Sequence, residues 1–153
     1  MPSKPRSGVL PVLIFVVWTL YVWLNRISNA MGNTSLSSSG KAFSVVLSLS
    51  VVTLALAAGV VAVRGWTRGW SRSEVLVLKV AAGWAGGLWL VLVPKILVDG
   101  RPTGFDGNLT AFKAVHVVLG LISIGLALWV WRVSSASAEE LAGQESLGQS
   151  SPR

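Results

Sequence analysis

The chain has 153 residues, of which 12% are charged and 52% hydrophobic, with a mean hydropathy of +0.65 and a formal net charge of +7. A typical soluble domain carries about twice that charged share, so the composition excludes a disordered chain and argues against an ordinary soluble enzyme. The absence of cysteine excludes a disulfide scaffold, a thiolate metal site and a cysteine nucleophile.

A membrane helix needs about 20 mostly apolar residues. Gly8–Leu24 and Ala42–Val63 carry no charge, Val75–Pro94 is interrupted only by Lys79, and Ala114–Trp131 only by His116. None alternates with the period of a barrel strand, and none has the polar face of a helix in a soluble bundle. The expected fold is therefore all-α: a polytopic membrane protein with four transmembrane helices at about 8–28, 42–63, 73–97 and 111–133. The basic start at Lys4 and Arg6 and the Ser28-Asn29-Ala30 string resemble a signal peptide. The first apolar run is too long for an h-region, however, and is expected to stay as a helix.

The flanks fit this division. Trp18, Trp23, Trp66, Trp70, Trp129 and Trp131 are expected near the headgroups, where ring and N–H are both satisfied. Ser71 and Glu74 have the spacing of a capping box that opens the third helix, and Pro94 is expected to end or kink it. Residues 134–153 are rich in Ser, Ala, Gln, Glu and Gly and read as a disordered cytoplasmic tail beyond a 1–133 membrane domain.

Orientation follows the lysines and arginines of short loops. Lys4, Arg6, Arg64, Arg68, Arg72, Arg132 and Arg153 fall on one side, against Arg26, Lys41, Lys95, Arg101 and Lys113 on the other. The cluster Arg64, Arg68, Arg72 puts both termini in the cytoplasm. These cations are spread over both faces rather than gathered in one patch, so no nucleic-acid partner is expected. The partners expected are the bilayer, its anionic headgroups, and either another membrane protein or a second copy. In the second loop Arg64, Trp66, Arg68, Trp70 and Arg72 alternate cation and ring, a lipid-anchoring pattern.

The two halves resemble each other. Trp18 and Trp23 are five apart, as are Trp84 and Trp89, and Val9 and Leu10 match Val75 and Leu76 at the same offset. This suggests two duplicated helical hairpins related by an axis along the membrane normal.

Few residues here bear chemistry. His116 lies one turn inside the outer end of the fourth helix, on one face with Lys113. It reads either as a functional group or as an interfacial histidine held by a backbone carbonyl or by Asp106. Lys113, His116 and Asp106 form the candidate functional set. One histidine cannot supply both axial ligands of a haem. No cofactor or metal is expected, and no catalytic residues are assigned. Lys79 and Lys95 are expected to snorkel to the headgroups. The small residues Ala55, Ala58, Gly59 and Ala62 of the second helix, and Ala82, Gly83, Gly86 and Gly87 of the third, predict close helix contact. Ser44, Ser48, Ser50 and Thr53 read either as a pore stripe or as interhelical glue. Asn33 and Asn108 head sequons on the expected outer loops.

The stretches Trp18–Arg26 and Phe112–Leu126 (FKAVHVVLGLISIGL) resemble small four-helix membrane proteins of high-GC Gram-positive bacteria. The resemblance implies a bacterial plasma membrane and brings no activity. The chain differs from four-helix multidrug exporters, which carry a glutamate in the first helix. The expected function is that of a non-enzymatic structural or accessory subunit of a larger membrane complex. The alternatives are a small homo-oligomeric channel or carrier with His116 near its outer mouth and, behind it, a redox subunit using His116.

Overall fold

The computed structural model describes residues 8–100 and 107–149. Four helices follow in order: α1 (Val9–Gly32), α2 (Ser38–Arg68), α3 (Arg72–Val98) and α4 (Leu109–Gln149). The shortest has 24 residues, about 36 Å at 1.5 Å per residue and more than the roughly 30 Å hydrocarbon layer. An apolar helix satisfies its own backbone, which is what a bilayer demands of any spanning segment.

Local chemistry sets the ends. Ser37 caps α2, its hydroxyl accepting from Gly40 N–H at 3.2 Å. The expected capping box is present at α3: Ser71 Oγ accepts from Glu74 N–H, and Glu74 Oε2 accepts from Ser71 N–H at 2.9 Å. The two sequon asparagines are turn formers, since Asn33 Oδ1 accepts from Ser35 N–H and Asn108 Oδ1 from Ala111 N–H in the first turn of α4. Gly69 stops α2 with φ 80°, a conformation that favours glycine, while its N–H still reaches Gly65 O.

Three boundaries differ from expectation. The second loop is nearly all helix: α2 runs through Arg64, Trp66 and Arg68, leaving only residues 69–71 as connection. Pro94 does not end α3, which continues to Val98. The segment from Ser134, expected as a disordered tail, continues α4 to Gln149. Its alanines, glutamates and leucine are good helix formers, and Ser134 is buried with its hydroxyl donating to Val130 O.

The helices form a ring in which α1–α2 and α3–α4 pack most extensively, giving two hairpins joined by α2–α3 and α1–α4 contacts. Most of the small residues make the close contact their spacing predicts, Gly87 being the exception with nothing within 4 Å. Ala55, Ala58, Ala62, Ala82 and Gly86 are buried, Gly59 lies against Val16, and Gly86 against Ala127. Only 22–39% of each helix's most apolar stretch is buried. The remainder, including Leu10, Val17, Leu56, Leu90 and Leu121, faces outward. An apolar surface of that extent is not stable against water, so this is a multi-pass membrane protein with lipid as its solvent.

Tryptophan is where the expectation fails. Trp23 is 1% and Trp89 4% exposed, and their rings meet edge-on between the hairpins with centroids 6.3 Å apart. Trp18 of α1 donates its indole N–H to Ser123 Oγ of α4 at 2.9 Å. Trp84 of α3 donates to Ser50 Oγ of α2 at 3.0 Å. Each hairpin thus gives a tryptophan to a serine on the second helix of the other, an indole N–H in an apolar medium being costly without an acceptor. A double-mutant cycle of Trp18→Phe with Ser123→Ala, followed by thermal unfolding in detergent, is expected to give a coupling of about 0.6 kcal/mol, the usual worth of an interhelical hydrogen bond. Ser71→Ala removes the α3 cap and is expected to destabilise the same protein by about 1 kcal/mol.

Candidate functional site

The end of the bundle that holds the α1–α2 and α3–α4 connections is open. Here the hairpins diverge around a cleft of about 750 Å³. One wall comes from α1, whose residues Val22, Trp23, Arg26, Asn29 and Ala30 recur at helical spacing and so share a face. The opposite wall is Phe112, Val115, His116 and Leu119 of α4, with Trp89 of α3 between them. Leu36 and Ser44 close the side toward α2.

Two buried polar groups on this lining lack partners: Arg26 Nε and Trp89 Nε1. The Arg26 guanidinium lies over the Trp23 ring, 5.5 Å from its centroid, which offsets part of the cost of withdrawing it from water. Trp89 is seated by a close approach of α4. A Cβ on Gly120 would meet Trp89 Cε3 at 3.0 Å and overlap Val93. Asn25, also on the lining, is bonded within its own helix, its amide donating to Tyr21 O at 2.7 Å.

His116 lines the same cleft. Its Nδ1 lies 2.8 Å from Phe112 O, and a carbonyl can only accept, so Nδ1 carries a proton and Nε2 is the ring nitrogen left to the cleft. The ring also packs on Phe112, centroids 4.1 Å apart. Lys113 is not in the cleft lining; its Nζ donates to Leu97 O at 2.8 Å and caps the end of α3. Asp106 lies outside the described residues. The cleft lining contains no carboxylate among the described residues.

The residues assigned to lipid anchoring sit at the other end and take different roles. Arg64 and Trp66 are exposed on α2. Arg68 is paired with Glu74 at 2.5 Å, tying the end of α2 to the start of α3. Trp70 is turned onto the protein, its indole covering Gly65 and touching the position of Gly8. Arg72 is exposed in the first turn of α3. Lys79 meets the Trp131 ring, 5.6 Å from its centroid, rather than only reaching for headgroups. Of the serines of α2, Ser50 joins two helices, receiving Trp84 while donating to Leu47 O, whereas the fully buried Ser48 donates to Ser44 O of its own helix.

Reading by residue type alone misses Arg26 and Trp89, because an arginine near a helix end ordinarily anchors at headgroups and a tryptophan there ordinarily sits in the interface. The signal that would have found Arg26 is its three-residue spacing from Trp23 and Asn29 on one helical face. No protein-family model, curated protein or solved structure matches the sequence. Gly120→Ala is expected to displace Trp89 and Val93 and to destabilise the protein by about 1–3 kcal/mol, as overpacked cores are, measured by thermal unfolding in detergent.

Proposed function

We propose that this small integral membrane protein works by binding a membrane-soluble ligand in the cleft between its hairpins, and not by catalysing a reaction. The observation that carries the reading is the convergence of Arg26, Trp89 and His116 on one mostly apolar cavity of about 750 Å³. That volume and that mix of apolar wall with a few polar groups are those of small-molecule sites between helices of a bundle. In this reading the protein lies in a bacterial plasma membrane with both termini cytoplasmic, as the arginines around the α2–α3 turn favour. The cleft then opens at the outer leaflet, and Arg64 and Trp66 hold the inner headgroups.

The accessory-subunit reading keeps one specific support. Gly87 of α3 and Gly125 of α4 have open space where a side chain would stand, so a partner helix can approach closely there. The channel reading draws less support, because the serines of α2 already bond to their own helix or to Trp84.

Native mass spectrometry of the protein purified from its membrane in mild detergent tests the choice. The expected result is one retained lipid-sized adduct per chain, lost in a cleft-filling Leu119→Trp variant that unfolds at the wild-type temperature. Retention of no adduct, or of the same adduct in Leu119→Trp, would overturn the binding reading. A stoichiometric membrane protein without lipid would favour the accessory subunit.

A further inference from the structure

We infer that the occupant of the cleft is a single anionic phospholipid, its headgroup phosphate held by Arg26 and Trp89 and its acyl chain lying on the apolar wall. The inference rests on the reading of the cleft as a binding site and names what that site selects.

The argument is one of complementarity. Arg26 is the one permanent cation among the described lining residues, and no Asp or Glu lies among them. Its Nε is buried without a partner. Trp89 is 4% exposed, and its indole N–H is likewise unpartnered. A guanidinium and an indole only donate. Two unmet donors, one of them charged, on a wall without carboxylates call for an acceptor-rich anion. Such an anion returns to each group the hydrogen bond that burial removed. A cation or a neutral polar headgroup would leave the arginine uncompensated, which is costly in a low-dielectric site. His116 does not compete for the same role, because its Nδ1–H already donates to Phe112 O.

The rest of the lining decides between a soluble anion and a lipid. Val22, Leu36, Val115 and Leu119 extend the cleft as apolar surface, which a small hydrated ion would leave unused and an acyl chain would cover. Arg26 also stands near the end of α1, the level at which a lipid phosphate lies when its chain runs along the helices.

The test uses delipidated full-length protein in a neutral detergent, loaded from micelles of phosphatidylglycerol, phosphatidylcholine or diacylglycerol and read by native mass spectrometry. Phosphatidylglycerol is expected to be retained about tenfold better than diacylglycerol, which lacks the phosphate, since one charge-assisted hydrogen bond is worth at least the interval that gives tenfold, and better than phosphatidylcholine, whose trimethylammonium cancels the phosphate charge and brings a second cation to a wall that already holds Arg26. Arg26→Gln is expected to reduce that preference to about parity, Arg26→Lys to keep most of it, and Arg132→Gln, exposed on α4 at the opposite end, to leave it unchanged. Asn29→Asp sets a carboxylate on the cleft wall while leaving Arg26 and Trp89 in place. It is expected to abolish the preference even if Arg26→Gln fails to fold.

Equal retention of the three lipids, all released by Leu119→Trp, would overturn the anionic assignment while leaving the binding site intact. A preference lost in Arg132→Gln but kept in Asn29→Asp would overturn it in favour of headgroups around the bundle. Displacement of phosphatidylglycerol by inorganic phosphate would overturn the lipid in favour of the soluble anion. Retention of none of the three would defeat the binding reading itself.

Discussion

The contact between Trp23 and Trp89 is the constraint on which the rest of the structure turns. Two hairpins, each held by small residues that let its helices approach, meet here through a pair of large rings. Lipid is as apolar as leucine, so no hydrophobic force drives two membrane hairpins together; packing and hydrogen bonds must do it. The edge-on rings supply packing, and the Trp18–Ser123 and Trp84–Ser50 bonds supply direction. The rings also act as a spacer. Toward the α2–α3 turn Trp70 lies on Gly65 and against Gly8, beside a smaller pocket of about 370 Å³ lined by Arg68, Trp70 and Glu140, while past Trp23 and Trp89 the hairpins separate and the cleft begins.

Electrostatics divides the two ends in the same way. At the α2–α3 turn the charges are answered locally: Arg68 by Glu74, and Glu74 in turn by the Ser71 backbone and hydroxyl. That network closes a tight connection between α2 and α3. At the cleft end Arg26 rests on a ring instead of a carboxylate. A cation–π contact is weaker than a paired ion in a dry site, so the guanidinium retains an appetite for an anion. The difference between a structural cation and a binding cation here is the presence or absence of an acid on the neighbouring helix.

Much of this fold is legible without coordinates, and the particular residues show why. The capping box at Ser71 and Glu74, the buried alanines of α2 and the glycine at the end of α2 are local events, governed by spacing within one helix or one turn. Readings that depend on a partner helix fared differently. Lys113 shares a helical face with His116, yet it reaches Leu97 of α3 and leaves the cleft to the histidine. Trp70 has the composition of a lipid anchor, but its ring lies on Gly65, a position the bare pattern of alternating Arg and Trp does not single out. The segment after Ser134 has polar composition and good helix propensity together, and the helix prevailed because α4 was already nucleated ahead of it.

By itself the sequence determined the number of helices, the apolar run at the heart of each and the solvent in which they live. Each of those follows from the length and polarity of a contiguous run, because a backbone in lipid must bond within its own helix. Only the tertiary structure decided which faces meet. It buried Trp23 against Trp89 rather than leaving it at the headgroups, brought Arg26 of α1 and His116 of α4 to one cavity, and kept every carboxylate of the described residues off its wall. Those outcomes depend on the rotation of one helix about its axis relative to another. For helices apolar on all sides, hydropathy carries no information about that rotation, so shape and a few hydrogen bonds set it.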